Sequence, residues 1–250
     1  LEVSGKLSEM EKEFANMIQE AERKISLPPP LLVFEEGANS SLSSEEIIRQ
    51  TNLKRAENGL PPLQESAKLN SSAQLKAQDM LKNQYFEHES PSGEQVADLA
   101  GEVKYEFIIL GENLAMGGFR SEQALVQAWM DSPGHRENIL NPQYREIGVS
   151  AINGEYNGKN VWMAVQHFAR PLSSCPQADE NLKASVEINE KKAERIKEQL
   201  ETLKYNLNTK KDVQEYNDLV WQYNRLIEQN KALVSQYNQQ VREFNACLEQ

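Results

Sequence analysis

The sequence predicts an α+β domain followed by an antiparallel helical hairpin, and two patterns support this. Residues 42–172 combine amphipathic helical spacing with segments that alternate apolar and polar side chains, as half-buried strands do. Residues 173–250 instead repeat apolar residues at heptad spacing, which is typical of a coiled-coil seam. Residues 1–41 precede both parts and are expected to form an amphipathic helix and a proline-rich linker.

The first region carries apolar residues at intervals of three and four from Leu7 to Ile25, which predicts a helix over residues 6–25. Leu27 is followed by three prolines, and the helix must end there because proline lacks an amide hydrogen. Residues 35–44 are mostly small and polar, so we expect them to form a linker.

The middle region is expected to contain four helices. Ser43 or Ser44 can cap the first, which ends near Asn58 because Gly59 follows as a stop signal. The others are expected over residues 66–85, 121–130 and 133–140.

Three strand-like segments accompany these helices. Residues 105–110 are apolar enough for one strand, and residues 146–152 and 160–168 alternate apolar and polar side chains. Asn153-Gly154 and Asn157-Gly158 lie between the last two segments, and Asn-Gly pairs favour the tight turn of a hairpin. We therefore expect helices packed around a small, mostly antiparallel sheet.

The last region contains two heptad runs, from Leu182 to Leu207 and from Val213 to Leu248. The polar residues 208–211 between them are expected to form the turn. An aromatic-Asn pair recurs every seven residues in the second run, and we interpret it as a packing seam rather than a ligand site.

The two cysteines lie on either side of this turn. Cys175 and Cys247 are at similar distances from it, so folding the tail brings them to the same end of the hairpin. We predict that they form a disulfide, which would stabilise the hairpin by roughly 2–4 kcal/mol. A disulfide would imply an oxidising compartment, whereas two unrelated thiols are the alternative.

The net charge of −11 argues against two classes of partner. A nucleic-acid binder needs a basic surface, and an anionic membrane also attracts basic proteins, so neither is expected. No run of about 18 apolar residues is present, so no transmembrane segment is expected. The chain starts at Leu1 with no visible signal peptide, which a removed export signal or a trimmed chain would both explain.

Two histidines and one glutamate are the strongest candidates for chemistry. His88 lies in a polar turn after a helix, and His135 lies in the first turn of a short helix, where the helix dipole favours neutral imidazole. Glu112 lies between apolar segments. They could form one site or be three unrelated polar residues at turns. The HExxH, CxxC, GxSxG and P-loop patterns are all missing from the sequence.

Several short motifs occur in an order that is specific to one family. They are Phe86-x-His88-x-Ser90-Pro91-x-Gly93, Gly111-Glu112-Asn113-Leu114-Ala115, Trp129-Met130-x-Ser132-Pro133-Gly134-His135-Arg136-x-Asn138-Ile139-Leu140, Ile147-Gly148-Val149 and Trp162…Gln166-x-Phe168. Over residues 42–172, about half of the chain, the sequence resembles the bacterial CAP/SCP domain family (cysteine-rich secretory, antigen 5, pathogenesis-related 1).

The resemblance implies an α-β-α sandwich with a central cleft lined by two histidines and one or two acids. His88, Glu112 and His135 match those positions, and the cleft would also contain Ser90, Asn113, Ser132 and Asn138. Two imidazoles and a carboxylate are a plausible set of zinc ligands with one open position, and another divalent cation could bind there too.

The chain departs from the animal and plant members at one acid. Ser132 stands where they carry glutamate, so Asp131 or Glu137 would have to substitute. His167 is expected at a surface or sheet-face position, whereas Trp129 and Trp162 are expected in the core.

The resemblance favours a secreted, extracellular or cell-surface binding module. Its ligand would be a small apolar molecule, a peptide or a cell-surface component, with the hairpin as a spacer or docking arm. The alternative is a metal-dependent hydrolase with Glu112 as ligand or general base. A serine-based variant using Ser90 or Ser132 is less favoured. A third hypothesis assigns the function to the hairpin, which would pair with a coiled-coil partner or with residues 6–25.

Overall fold

The computed structural model describes residues 24–33 and 41–249. The chain divides into two compact units, which meet between Ser174 and Cys175 in the sequence. Most of the helix expected over residues 6–25 lies outside the described residues. Its last part was predicted wrongly, because Lys24–Ser26 forms a strand, β1, that pairs with the sheet. Leu31–Val33 forms a second short strand, β2, that the sequence did not predict.

The first unit contains a six-stranded mixed sheet. Its centre is antiparallel and consists of β4 (Phe107–Gly117), β6 (Lys159–Pro171) and β5 (Glu146–Tyr156). β1 and β2 both pair with β4 in parallel, whereas β3 (Gln64–Glu65) pairs with β5 at the opposite edge.

The expected hairpin is confirmed and is longer than predicted. β5 and β6 meet at Asn157-Gly158, where both residues have positive φ (50° and 73°), as a tight hairpin turn requires. Asn153-Gly154 instead lies within β5. β4 also extends beyond the expected residues 105–110 and includes Glu112.

Helices cover both faces of the sheet. They are α1 (Ser44–Glu57), α2 (Ala67–Asn83), α3 (Val96–Glu102), α4 (Glu122–Asp131) and α5 (Pro133–Ile139). One cluster packs Ile47 of α1 and Trp129 of α4 against Phe168 of the sheet. A second packs Ala77 of α2 against Val165. The α-β-α sandwich is thereby confirmed.

The local signals for these helices act as expected. The Ser43 side chain accepts a hydrogen bond from the amide of Glu46, and Gly59 follows the helix end at φ 73°. Trp129 is fully buried, and Trp162 is half-buried against the same cluster, so the expectation that both belong to the core is confirmed.

The second unit contains α6 (Glu180–Lys204) and α7 (Lys210–Leu248), which pack against each other. Thr209 caps α7 in a reciprocal capping box with Asp212. Cys175 and Cys247 form the expected disulfide, with their Cα atoms 5.7 Å apart. In the described part of the chain, none of the helices is long and apolar enough to cross a membrane.

Candidate functional site

Glu112 is the centre of the candidate site. It lies in the middle of β4 and its side chain is fully buried. Its Oε1 accepts a hydrogen bond from Nδ1 of His88 at 2.6 Å, and its Oε2 accepts one from Nε2 of His167 at 2.8 Å. Both carboxylate oxygens are therefore held by imidazoles.

Two opposing effects set the charge of Glu112. Burial would raise its pKa, but the hydrogen bonds from His167 and His88 outweigh burial and lower the pKa to about 2. The positive charge of Lys76 acts in the same direction. Glu112 is therefore ionised at neutral pH despite its burial.

His167 corrects one expectation. It lies on a sheet face, but α2 covers that face, so the side chain is fully buried and the expected surface position is wrong. His167 is the cross-strand partner of Glu112, and its Nδ1 shares a 2.9 Å hydrogen bond with Oγ of Ser72 in α2. The sequence contained no signal for this pairing, because it depends on the register of two distant strands.

His88 connects Glu112 to the surface, with its side chain 13% exposed. Its Nδ1 faces Glu112, and its Nε2 donates to the carbonyl oxygen of Pro28 at 2.6 Å. A carbonyl and an ionised carboxylate can only accept hydrogen bonds, so each ring nitrogen of His88 faces an acceptor. His88 thereby directs an N–H group away from the core towards the segment at Pro28.

A buried lysine that the sequence analysis missed fixes the position of His88. Lys76 is 1% exposed, and its Nζ donates to the carbonyl oxygen of His88 at 2.6 Å and to the hydroxyl of Tyr85 at 3.2 Å. Its place on the helix beside Ala73 and Ala77, which are both buried, was a usable signal.

His135 occupies a different environment. Its Nδ1 shares a 2.8 Å hydrogen bond with Oγ of Ser132. Its Nε2 is buried and forms no hydrogen bond with any described residue. The carbonyl of Leu114 lies nearby and acts to raise the pKa of His135, against the two effects that lower it. Burial, and then the charge of His88, lower the pKa of His135 to about 4, so its imidazole is neutral at physiological pH.

A buried amide network ties His135 to β4. The side-chain amide of Asn113 donates to the carbonyl oxygen of His135 at 3.1 Å and to Oε1 of Gln166 at 3.2 Å. Asn138 donates to Oδ1 of Asn113 at 2.9 Å and, more weakly, to the backbone carbonyl of Glu112 at 3.3 Å. These two asparagines therefore act as supports of the backbone, with their donors already used.

The side chains do not fit the expected three-ligand metal site. Within residues 24–33 and 41–249, no group of three His, Cys, Asp or Glu side chains could hold a metal ion. Both oxygens of Glu112 and both ring nitrogens of His88 are already engaged, which leaves Nε2 of His135 as the one free candidate atom of the three residues. Asp131 and Glu137 are exposed and do not substitute.

A cavity opens at the surface beside His88, with a volume of about 490 Å³. Its walls include Leu27, Tyr85, Ser90, Pro91 and Gln95. Ser90 is 6% exposed, and its Oγ accepts from the amide of Glu94 and contacts Ser92 Oγ, so its hydroxyl shapes the turn. The cavity therefore presents a mixed apolar and polar wall next to the His88 imidazole.

Comparison with known proteins identifies the family of the domain in the first unit. The model of the CAP (cysteine-rich secretory protein) family matches residues 48–168. The uncharacterized protein YkwD of Bacillus subtilis (strain 168) is 40% identical over 117 residues, which are 46% of this chain and 45% of that protein. The uncharacterized membrane protein YlbC of the same organism is 31% identical over 118 residues, 47% of this chain and 34% of that protein. The chain thus spans less than half the length of either relative.

A solved structure is also similar. It is that of an extracellular protein containing an SCP domain from Bacillus anthracis str. Ames, at 32% identity, covering 51% of this chain and 40% of that chain with a TM-score of 0.45. The family match includes His88, Glu112 and His135, and it identifies residues 48–168 of this chain as a CAP domain.

Proposed function

We propose that this CAP domain is the ligand-binding module of an exported protein and that His88 is its recognition group. The proposal is supported by one observation above all: a buried, ionised Glu112 holds His88 so that its Nε2 faces away from the core, where the carbonyl oxygen of Pro28 accepts from it at 2.6 Å. Such a donor suits a ligand that offers a carbonyl or carboxylate oxygen. Export is supported by the Cys175–Cys247 disulfide, because disulfides persist in oxidising compartments.

The same contacts favour binding over hydrolysis. A general base must be able to take a proton near neutral pH, and the pKa of Glu112 lies at about 2. Both of its oxygens already accept hydrogen bonds from histidines. Ser90 and Ser132 are engaged with Ser92 and His135, respectively. The neutral His135 lies against Ser132, but nothing around the pair is placed as an oxyanion-stabilising donor set among the described contacts.

A ligand screen that follows the His88 imidazole by NMR tests this proposal. The probes are N-acetylated tripeptide amides, N-acetylglucosamine oligomers and medium-chain fatty acids, one class for each kind of ligand under consideration. We expect at least one class to shift the His88 resonances reversibly and to remain chemically intact by mass spectrometry.

In the resonances of the probe itself, His88→Phe should abolish binding, whereas Glu57→Gln on the exposed side of α1 should retain it. If no class perturbs His88 in the wild type or in a chain with residues 24–33 replaced by a Gly-Ser segment, the binding function is wrong. If a probe is converted to products by the wild type but not by His88→Phe, the domain is a hydrolase instead.

A further inference from the structure

Residues 24–33 lie along the outer edge of β4 and form a strap across the candidate site. β1 pairs with residues 109–111, and β2 pairs with residues 115–117, both in parallel. Four strap residues, 27–30, lie opposite the three residues 112–114 between these pairings. The strap therefore leaves the sheet where Glu112 lies, and its prolines, which lack amide hydrogens, suit a break in the ladder.

The break places Pro28 against the site. Pro28 is buried, and its carbonyl oxygen receives the 2.6 Å hydrogen bond from Nε2 of His88. The side-chain amide of Asn138 also lies 3.3 Å from the backbone oxygen of Ser26. The strap thus offers its backbone oxygens to the donors of the site.

Two glycines make room for the strap. A Cβ atom on Gly134 would lie 2.7 Å from Cβ of Pro28, which is closer than real contacts allow. At the other end, Gly117 has φ +150°, and a Cβ there would overlap the carbonyl oxygen of Val33. The domain is therefore shaped for an extended backbone along its whole edge, from Ser26 to Val33.

Apolar side chains of the strap add to these contacts. Leu31 and Val33 pack against the cluster that contains Trp129, and Leu27 packs against a further cluster that contains Leu69. Ile25 and Leu32 are instead 37% and 50% exposed. Recognition through strand addition with one specific pocket is a general mode of peptide binding. A matching peptide would carry apolar residues on both sides of its proline, as the strap does.

We infer that the β4 edge and the His88 cleft together form a groove for an extended, proline-containing peptide of a partner protein, and that residues 24–33 occupy it intramolecularly. This inference rests on the proposed binding function and specifies its ligand class. The partner peptide adds to β4 in parallel, places a proline against Gly134 and offers that proline's carbonyl to His88. Because the strap is covalently attached, a partner peptide must compete with its high effective concentration.

The test uses the full chain with residues 24–33 replaced by a Gly-Ser segment of equal length. A fluorescent peptide of the sequence KISLPPPLLV, which is that of residues 24–33, is the probe. We expect it to bind the replaced chain at least about tenfold more tightly than the wild type, because the tethered strap no longer competes.

A bump-and-hole pair then tests the position of Pro28. Gly134→Ala in the replaced chain should weaken the probe by about tenfold, because the new methyl group meets the proline ring. A probe with glycine in place of Pro28 should bind Gly134→Ala and its parent equally well. The circular dichroism of Gly134→Ala should match that of its parent.

Three results of the binding and light-scattering experiments would overturn the inference. The first is that the chain with residues 24–33 replaced is folded but does not bind the peptide, while a sugar or fatty-acid probe still perturbs His88. In that case the binding function stands and only the peptide inference is wrong. The second is equal binding by Gly134→Ala. The third is a concentration-dependent dimer of the wild-type chain in light scattering that is lost when residues 24–33 are replaced, which would make a second copy the occupant.

Hydrogen exchange of the wild-type chain decides the matter even if the replaced chain does not fold. A displaceable strap must open without global unfolding, so the amides of Ile25 and Leu32 should exchange about 100-fold faster than that of Val165 in β6. Exchange of all three at one rate would make the strap a permanent strand and refute the inference.

Discussion

Glu112 and His167 lie directly opposite each other in β4 and β6, and a 2.8 Å hydrogen bond joins them on the buried sheet face under α2. His88 reaches the same carboxylate from the surface. The carboxylate of Glu112 is thus hydrogen-bonded to two imidazoles. That of His167 is fully buried, and that of His88 is partly exposed to solvent. This arrangement separates the roles of the two histidines, since one can only support and the other can also contact a ligand.

The two histidines should differ in their effect on stability. His167→Ala leaves Oε2 of Glu112 buried without a partner, and should destabilise the domain by about 3–5 kcal/mol. His88→Ala should cost about 1–2 kcal/mol, because water can reach the partly exposed site and replace the donor. Urea unfolding measures both. Equal losses, or a larger loss for His88→Ala, would contradict this division of roles.

Glu112→Gln should remove both stability and its dependence on acid. The pKa of Glu112 is lowered from 4.5 to about 2, so its ionised form stabilises the fold above pH 4.5, and this contribution is lost as pH falls towards 2. We expect a loss of about 3 kcal/mol at pH 7 and a flatter decline below pH 4.5 than in the wild type.

The stabilities of Glu112→Gln and the wild type should be compared in a Trp221→Phe background. Trp221 lies on α7 and is 63% exposed, and its removal leaves Trp129 and Trp162 of the α+β domain as the fluorescent reporters. The matched control is Glu57→Gln on α1, an exposed partner of Lys54, which should change stability by less than about 0.5 kcal/mol. Identical acid profiles of Glu112→Gln and the wild type would show that Glu112 does not carry the acid dependence.

Lys76→Met should make the turn at His88 more mobile while lowering the stability of the domain only a little. The change removes the donor to the His88 carbonyl while retaining an apolar side chain of similar length. We expect a stability loss of about 1 kcal/mol and faster amide exchange over residues 87–90. Lys82→Met, at the exposed end of the same helix, should leave both unchanged. Amide exchange over residues 87–90 that is as slow in Lys76→Met as in the wild type would show that the turn is stable without Lys76.

The disulfide should stabilise the hairpin by an amount at the upper end of the predicted range of roughly 2–4 kcal/mol. Cys175 and Cys247 are 72 residues apart, and a closed loop of that length contributes about 4 kcal/mol through lost chain entropy. Reduction should therefore accelerate amide exchange at Val186 and Phe244, which are buried residues of α6 and α7. Cys175→Ser and Cys247→Ser should each match the reduced protein. Unchanged amide exchange after reduction would show that the two helices stay packed without the disulfide.

Local chemistry explains why much of the fold was predictable. The Ser43 cap, the Asn157-Gly158 turn and the heptads of α7 each act over a few residues, so their signals are complete in the sequence. The pairing of Cys175 with Cys247 was also accessible, because the helical hairpin fixes the distance along each arm.

The site required information that no local pattern contains. His167 looked like an outward position because strand periodicity cannot tell whether a helix covers a face, and here α2 does. Pro28 contacts His88 across 60 residues, through strands of only three residues each that show no period. The resemblance identified His88, Glu112 and His135, but it gave no indication that the carboxylate pairs with His167 or that the strap faces His88.

His135 should make the domain sensitive to mild acid. Burial lowers its pKa from 6.5 to about 4, so the folded state resists protonation, and stability present above pH 6.5 is lost as pH falls towards 4. His135→Leu removes the buried, unpartnered Nε2 and the titration together, so its stability should stay nearly constant over that interval. Urea unfolding at pH 7 and pH 4.5 checks this, with an expected wild-type loss of about 2 kcal/mol that the variant lacks. An NMR titration that places the midpoint of His135 near 6.5 would refute the burial effect, because an imidazole that charges freely must be reached by water.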